Sequence, residues 1–157
     1  MRLYLVRHGE SDPAGFDDQR TLNEKGKEDV TRLAKFISHL KLQVTYIFQS
    51  QKLRAQQTAK ILSASISSTN EIETRIELDP LAPISNIIDE ITALNEDIML
   101  VGHMPFMGNL ASQLIANNEN KDVIAFNTGS MVCLEKIASD LWVIRWMLSP
   151  ELLGSSA

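Results

Sequence analysis

One cysteine, Cys133, in 157 residues excludes an intrachain disulfide. Three histidines, His8, His39 and His103, show no close His/Cys spacing of the kind that holds zinc. This usage of cysteine suits a reducing cytosol, and a cytoplasmic protein is expected. No stretch approaches the ~20 apolar residues that span a bilayer, and the run Leu3 to Val6 is far too short for a signal-peptide core. A membrane partner is therefore not expected. Positive charge is also short: 15 Lys+Arg against 20 Asp+Glu give a net charge of -5. That excludes a global basic field for nucleic acid, so any anion must be held by a local site.

The remaining composition, 44% hydrophobic and 22% charged, argues against a disordered or membrane-embedded chain. The length is enough for a sizeable core without staples. With no repeat, charge block or long linker, one domain over residues 1–157 is expected, its small polar tail Gly154 to Ala157 frayed from about residue 152. The Ser/Thr-rich stretch Ser63 to Asn70 reads as a helix end running into a loop.

Three apolar runs, Leu3–Val6, Val44–Phe48 and Ile98–Val101, read as buried parallel strands. Between the first two, Val30, Leu33, Ala34, Ile37 and Leu40 recur at helical spacing, with Thr21 and Glu24 as a capping box. Gly26 then falls inside a helix at a cost of about 1 kcal/mol relative to Ala, which calls for a close approach there. A second helix is expected after Ser50 as N-cap, running through Leu53 to Leu62, a third over Ile84 to Leu94, and a fourth opening at Pro105. Ser130 to Lys136 and Leu141 to Met147 read as a terminal strand pair, with Trp142, Ile144 and Trp146 on one core-facing side. The alternation predicts an α/β fold, a three-layer α/β/α sandwich on a mainly parallel sheet with an antiparallel edge.

In such sheets ligands bind beyond the carboxyl ends of the strands. Arg7-His8-Gly9-Glu10 follows the first run, Gln49-Ser50 and then Arg54 the second, and Gly102-His103 the third. Two histidines and two arginines thus converge on one rim. Arg54 falls in the first turn of its helix, where a cation is unfavourable, so something negative should offset it. A phosphate would accept from the planar guanidinium groups of Arg7 and Arg54 and from backbone N–H groups at the helix start. Gly9 and Gly102 let backbone approach such a ligand. His39 reads as a solvated helix end, Cys133 as a small buried hydrophobe, and Lys52 and Lys60 as solvated, Lys52 close enough to the rim to touch an acidic partner.

These motifs resemble the histidine phosphatase superfamily, the phosphoglycerate mutase-like proteins. Arg7-His8-Gly9-Glu10 is similar to its opening signature, Ser50 to Thr58 to its second motif, and Gly102-His103 to its third. Within it, the Arg20-Thr21-Leu22 to Gly26 segment, Thr128-Gly129-Ser130 and Met147 to Pro150 look most like the SixA-type phosphohistidine phosphatases. Gln51 follows Ser50 where the family often has proline. The resemblance implies a metal-independent hydrolase with no cofactor. His8 would form a phosphohistidine intermediate, and Arg7, Arg54 and His103 would hold the phosphoryl oxygens. Gly9, Arg20 and Ser50 would supply further contacts to the phosphate or other oxyanion.

Superfamily members that cleave alcohol phosphates need an acid, often a carboxylate directly after the second histidine. Met104 stands there instead, leaving Glu10, Glu77 and Asp79 as proton donors, each equally readable as a solvated or orienting residue. An imidazole, with a pKa of about 6.5, departs far more easily than an alkoxide. Phosphohistidine on a protein of a phosphorelay or phosphotransfer system is therefore the expected substrate. The alternatives are a small-molecule phosphomonoesterase of the same superfamily and a non-catalytic phosphate- or phosphoprotein-binding module.

Overall fold

The computed structural model describes residues 1–154. Leu3 to Val6 forms the centre of β1 (Arg2–Arg7), buried on both faces as a central parallel strand requires. Leu3 and Leu5 pack with α3 (Ser85–Leu94) and α4 (Phe106–Ala116), whereas Tyr4 and Val6 pack with α1 (Glu24–Ser38) and α2 (Leu53–Ser63). Two apolar layers thus sit on opposite sides of one sheet, giving the expected three-layer sandwich.

The second run is divided. Gln43–Val44 forms β2, paired with β4 (Ser67–Ser68) in a small parallel ladder, while Tyr46–Gln49 forms β3 of the main sheet. With β5 (Glu73–Thr74), β6 (Ile98–Gly102), β7 (Met131–Ala138) and β8 (Leu141–Leu148), the six-stranded order is β5-β3-β6-β1-β7-β8. The pairs from β5 to β1 are parallel, and β7 and β8 supply the antiparallel edge. Adjacent β1 and β6 lead into helices on opposite faces, α1 and α4, so the crevice opens between their carboxyl ends. No helix of the described residues is long and apolar enough to cross a membrane.

Helix α1 starts later than the capping box predicts. Leu22 still bridges Ser11 in extended backbone, leaving Thr21 outside the helix, and Asn23 is the N-cap, accepting from Gly26 N at 2.8 Å. The close approach expected at Gly26 is present: a Cβ there would lie 2.0 Å from the Glu10 carbonyl oxygen. Ser50 is not the cap of α2 either. That position is Lys52, without a side-chain cap, because the Ser50 hydroxyl is turned into the site.

In the terminal hairpin, Cys133 pairs with Trp146 and Leu134 with Ile144, so Arg145 is an extra residue. The bulge sends Trp142 into the α3/α4 core and Trp146 into the α1/α2 core, and leaves Ile144 exposed, so the three do not share one side. Leu153 packs on the α1/α2 core and the Gly154 carbonyl accepts from Arg32 at 2.9 Å, so the chain is tied down to that point. The rest of the expected tail, residues 155–157, lies outside the described residues.

Candidate active site

Arg7 of β1 sits in register with Gly102 of β6, and Gln49 of β3 with Val101. The ladder extends one step further: His8 N donates to Gly102 O at 2.9 Å and Ser50 N to Val101 O at 3.0 Å. Main-chain bonds therefore set His8, Ser50 and His103 side by side. Gly9 N donates to Thr58 Oγ1 at 3.0 Å, and Thr58 Oγ1 donates to Arg54 O at 2.8 Å, which ties the start of α2 to the end of β1. A Cβ on Gly9 would meet Val30 at 2.8 Å and the Gly26 carbonyl at 3.0 Å, so glycine permits this seam.

The His8 and His103 rings lie with centroids 5.0 Å apart, both buried. His8 Nδ1 is 2.7 Å from Gly9 O, an atom that only accepts, so Nδ1 carries the proton and Nε2 keeps its lone pair. Burial pushes the His8 pKa down to about 4; the Gly9 bond opposes this, and Arg54, Arg7 and Arg20 add to it. Burial, then His8, Arg54 and Lys52, lower His103 to about 3. His103 Nε2 meets Ser50 Oγ at 2.7 Å, and Ser50 Oγ accepts from Lys52 N at 3.3 Å. Both imidazoles are neutral at pH 7.

Arg7 donates through Nη1 to Phe126 O at 2.7 Å, and its buried Nε has no partner among the described residues. Buried Arg54 Nε and His103 Nδ1 are likewise unpartnered. Arg54 spends its two terminal nitrogens on one residue, donating to Asp17 O at 2.7 Å and Asp17 Oδ1 at 3.2 Å. Asp17 is the negative group that the placement of Arg54 calls for, and it was not among the sequence candidates. Its partners stand 35 and 37 residues downstream, at Lys52 and Arg54, so no local spacing marks it.

Asp17 opens a single 3-10 turn, Asp17–Gln19, whose carboxylates also meet Lys52 Nζ, Asp17 at 2.5 Å and Asp18 at 2.9 Å. The hydrogen bond from Lys52 holds the Asp17 carboxyl below its usual range. Lys52 is buried rather than solvated. Arg20 donates to Asp12 O at 2.6 Å and Ser11 Oγ at 2.9 Å and lies 3.5 Å from Asp17, so it braces the loop over the site.

Of the three carboxylates expected as proton donors, Glu10 pairs with Lys25 at 3.3 Å and Asp79 lies 3.9 Å from Lys52. Glu77 makes no ion pair or side-chain hydrogen bond among the described residues. The structure thus gathers Arg7, His8, Gly9, Ser50, Arg54 and His103 at one crevice, while Glu10 is drawn toward α1.

Residues 3–80, which carry His8 and Arg54, match the family model described as histidine phosphatase superfamily (branch 1). The chain belongs to the histidine phosphatase superfamily. It is similar to the phosphohistidine phosphatase SixA of Escherichia coli strain K12, 22% identical over 155 residues, covering 96% of this chain and 94% of that one. The solved structure of the protein histidine phosphatase SixA complexed with tungstate superposes with a TM-score of 0.88 at 22% identity, over 98% of this chain and 100% of the other. The α-ribazole phosphatase of Shigella flexneri shares the fold at a TM-score of 0.77 and 16% identity, over 96% and 97% of the chains. Fold and family make the chain a phosphatase of this superfamily.

Proposed function

We propose that the protein removes phosphate from phosphohistidine on a protein partner, of the kind found in phosphorelay or phosphotransfer systems, and that it works as one domain in the cytoplasm. The observation that carries this reading is His8: neutral, with its tautomer pinned by Gly9 O, it offers Nε2 as the nucleophile beside Arg7, Arg54 and His103.

In the first step His8 Nε2 forms a bond to phosphorus while the bond from phosphorus to the partner's imidazole nitrogen breaks, and that nitrogen takes a proton from a solvent water. Water then attacks phosphorus, the bond to Nε2 breaks, and inorganic phosphate leaves with His8 restored. Arg7, Arg54 and His103 hold the non-bridging oxygens and stabilise their charge during transfer. Arg7 Nε and Arg54 Nε, buried donors without a partner among the described residues, are groups that a tetrahedral oxyanion would accept from. Ser50 orients the His103 ring, and Gly9 and Arg20 shape the wall.

The placement of the acids favours a group that departs without help: Glu10 is drawn to Lys25, and the hydrogen bond from Lys52 holds the Asp17 carboxyl below its usual range. Acid catalysis contributes typically about 10²–10⁴-fold, and an alkoxide suffers most from its loss. The similarity to SixA supports the same substrate class. The test offers a phosphohistidine-bearing domain and simple phosphomonoesters in parallel. Preference for the first is expected, and clear preference for the esters overturns the substrate. Labelled phosphate should be trapped on the wild type and not on His8→Ala; absence of trapping on both would leave a binding module.

A further inference from the structure

Lys52 occupies the middle of a small stack. Its side chain is 9% exposed, against 54% for Asp17 and 72% for Asp18, which both bond its ammonium group. The cation therefore lies beneath and the carboxylates face outward. Asp79 approaches the same nitrogen at 3.9 Å, so two surface turns meet at one buried lysine. Arg54 and Arg20 also pair with Asp17, so the cluster balances in charge, but its cations lie beneath and its carboxylates form the outer face of the rim.

The same two turns carry apolar side chains that the fold does not use. Phe16, directly before Asp17, is 82% exposed, and Leu81, whose backbone N–H donates to Asp79 Oδ1, is 85% exposed. Ile76, which opens the 3-10 turn Ile76–Leu78 with Asp79 as its C-cap, is 66% exposed. Three of the four most exposed large hydrophobics of the described residues thus lie on the two segments whose carboxylates reach Lys52. Apolar side chains left uncovered on segments that adjoin in space suit contact with a macromolecule.

We propose that Phe16, Asp17, Asp18, Ile76, Asp79 and Leu81 form the docking surface for the protein substrate, and that it reads apolar and cationic side chains flanking the phosphorylated residue. Charge decides the occupant. An outward carboxylate face repels a small polyanionic phosphate but complements lysine or arginine next to a phosphohistidine, whose phosphate then passes between the two turns to Arg7 and Arg54. Phe16 and Leu81 supply the apolar grip on either side. This inference rests on the phosphohistidine reading above.

The test uses free phosphohistidine and three phosphohistidine peptides, flanked by Lys and Leu, by Lys and Ser, or by Glu and Leu. In the wild type kcat/KM should be highest for the Lys/Leu peptide and about tenfold lower for each of the others, which is about 1.4 kcal/mol. The loss should lie mainly in KM, and rising salt should shrink the Lys-against-Glu difference. The double variant Phe16→Ser/Leu81→Ser should erase the Leu-against-Ser difference, and Asp18→Asn should narrow the Lys-against-Glu one, with free phosphohistidine turned over within twofold of wild type. Equal rates on all three peptides, or variants that slow free phosphohistidine as much as the peptides, overturn the surface. If every phosphohistidine probe is inert while p-nitrophenyl phosphate is consumed, the phosphohistidine reading fails and the surface falls with it.

Discussion

The floor of the site and its rim are held by different forces. On the floor, His8 and Ser50 continue the ladders of a buried sheet through their own N–H groups, and both histidine rings are desolvated. On the rim, the Ser11 to Arg20 loop is fastened by side chains: Arg20 to Asp12 O and Ser11, and Lys52 and Arg54 to Asp17 and Asp18. Backbone ladders shielded from water resist salt and substitution, whereas partly exposed ion pairs are screened and individually weak. The proposed nucleophile is thus preset, while the rim proposed to meet the partner is adaptable.

Changes on the floor should be costly. His8→Ala should lower kcat/KM by about 10³-fold or more, as expected for loss of a covalent nucleophile, measured on any phosphoryl substrate the wild type turns over; retention of a tenth of the activity would remove His8 from that role. Gly26→Ala forces a methyl against the Glu10 carbonyl and should cost about 3 kcal/mol, seen as a fall in Tm of roughly 10 °C. An unchanged Tm would mean that the seam behind the floor is soft. Ser50→Ala removes the partner of His103 Nε2 and should slow turnover about tenfold. Ser50→Thr, which keeps a hydroxyl, should recover part of that loss.

On the rim the effects should be smaller and of opposite sign. Asp17→Asn weakens the hold on Arg54 and should tighten binding of tungstate or phosphate by about threefold, read by competitive inhibition. Weaker binding would make Asp17 a supporting group rather than a competitor for Arg54. The smallest expected change is with pH. With His8 lowered to about 4 and His103 to about 3, kcat/KM should vary less than about twofold between pH 5 and 7 through these groups, whereas an acid limb near 6.5 would mean a solvated His8.

Stability should behave differently over the same range. Below pH 6.5 the unfolded chain protonates both histidines while the folded chain does not. Stability therefore falls as pH drops toward 4, by up to about 1.4 kcal/mol per unit for each histidine.

Much of the floor was legible because it is local. Arg7-His8 and Gly102-His103 directly follow apolar runs, and a buried parallel strand projects whatever follows it into the crevice. Arg54 was legible through its place in the first turn of α2. The rim was not, since Asp17 earns its position through Lys52 and Arg54, and nothing near Asp17 distinguishes it from another solvated acid. Lys52 was misread for the same reason. The helix start at Asn23 turned on one bridge, Ser11 to Leu22, and the two facings of Trp142 and Trp146 on one inserted residue.

Hydrophobic patterning by itself determined the layers of this protein, the strands that matter and the four groups at their ends, because burial and strand direction act over a few neighbouring residues. Only the tertiary structure decided which nitrogen of His8 is free, how far both histidines are desolvated, and which acid sits on which arginine. Those properties depend on distances between atoms that the chain separates by tens of residues, and on the exclusion of water that packing alone brings about.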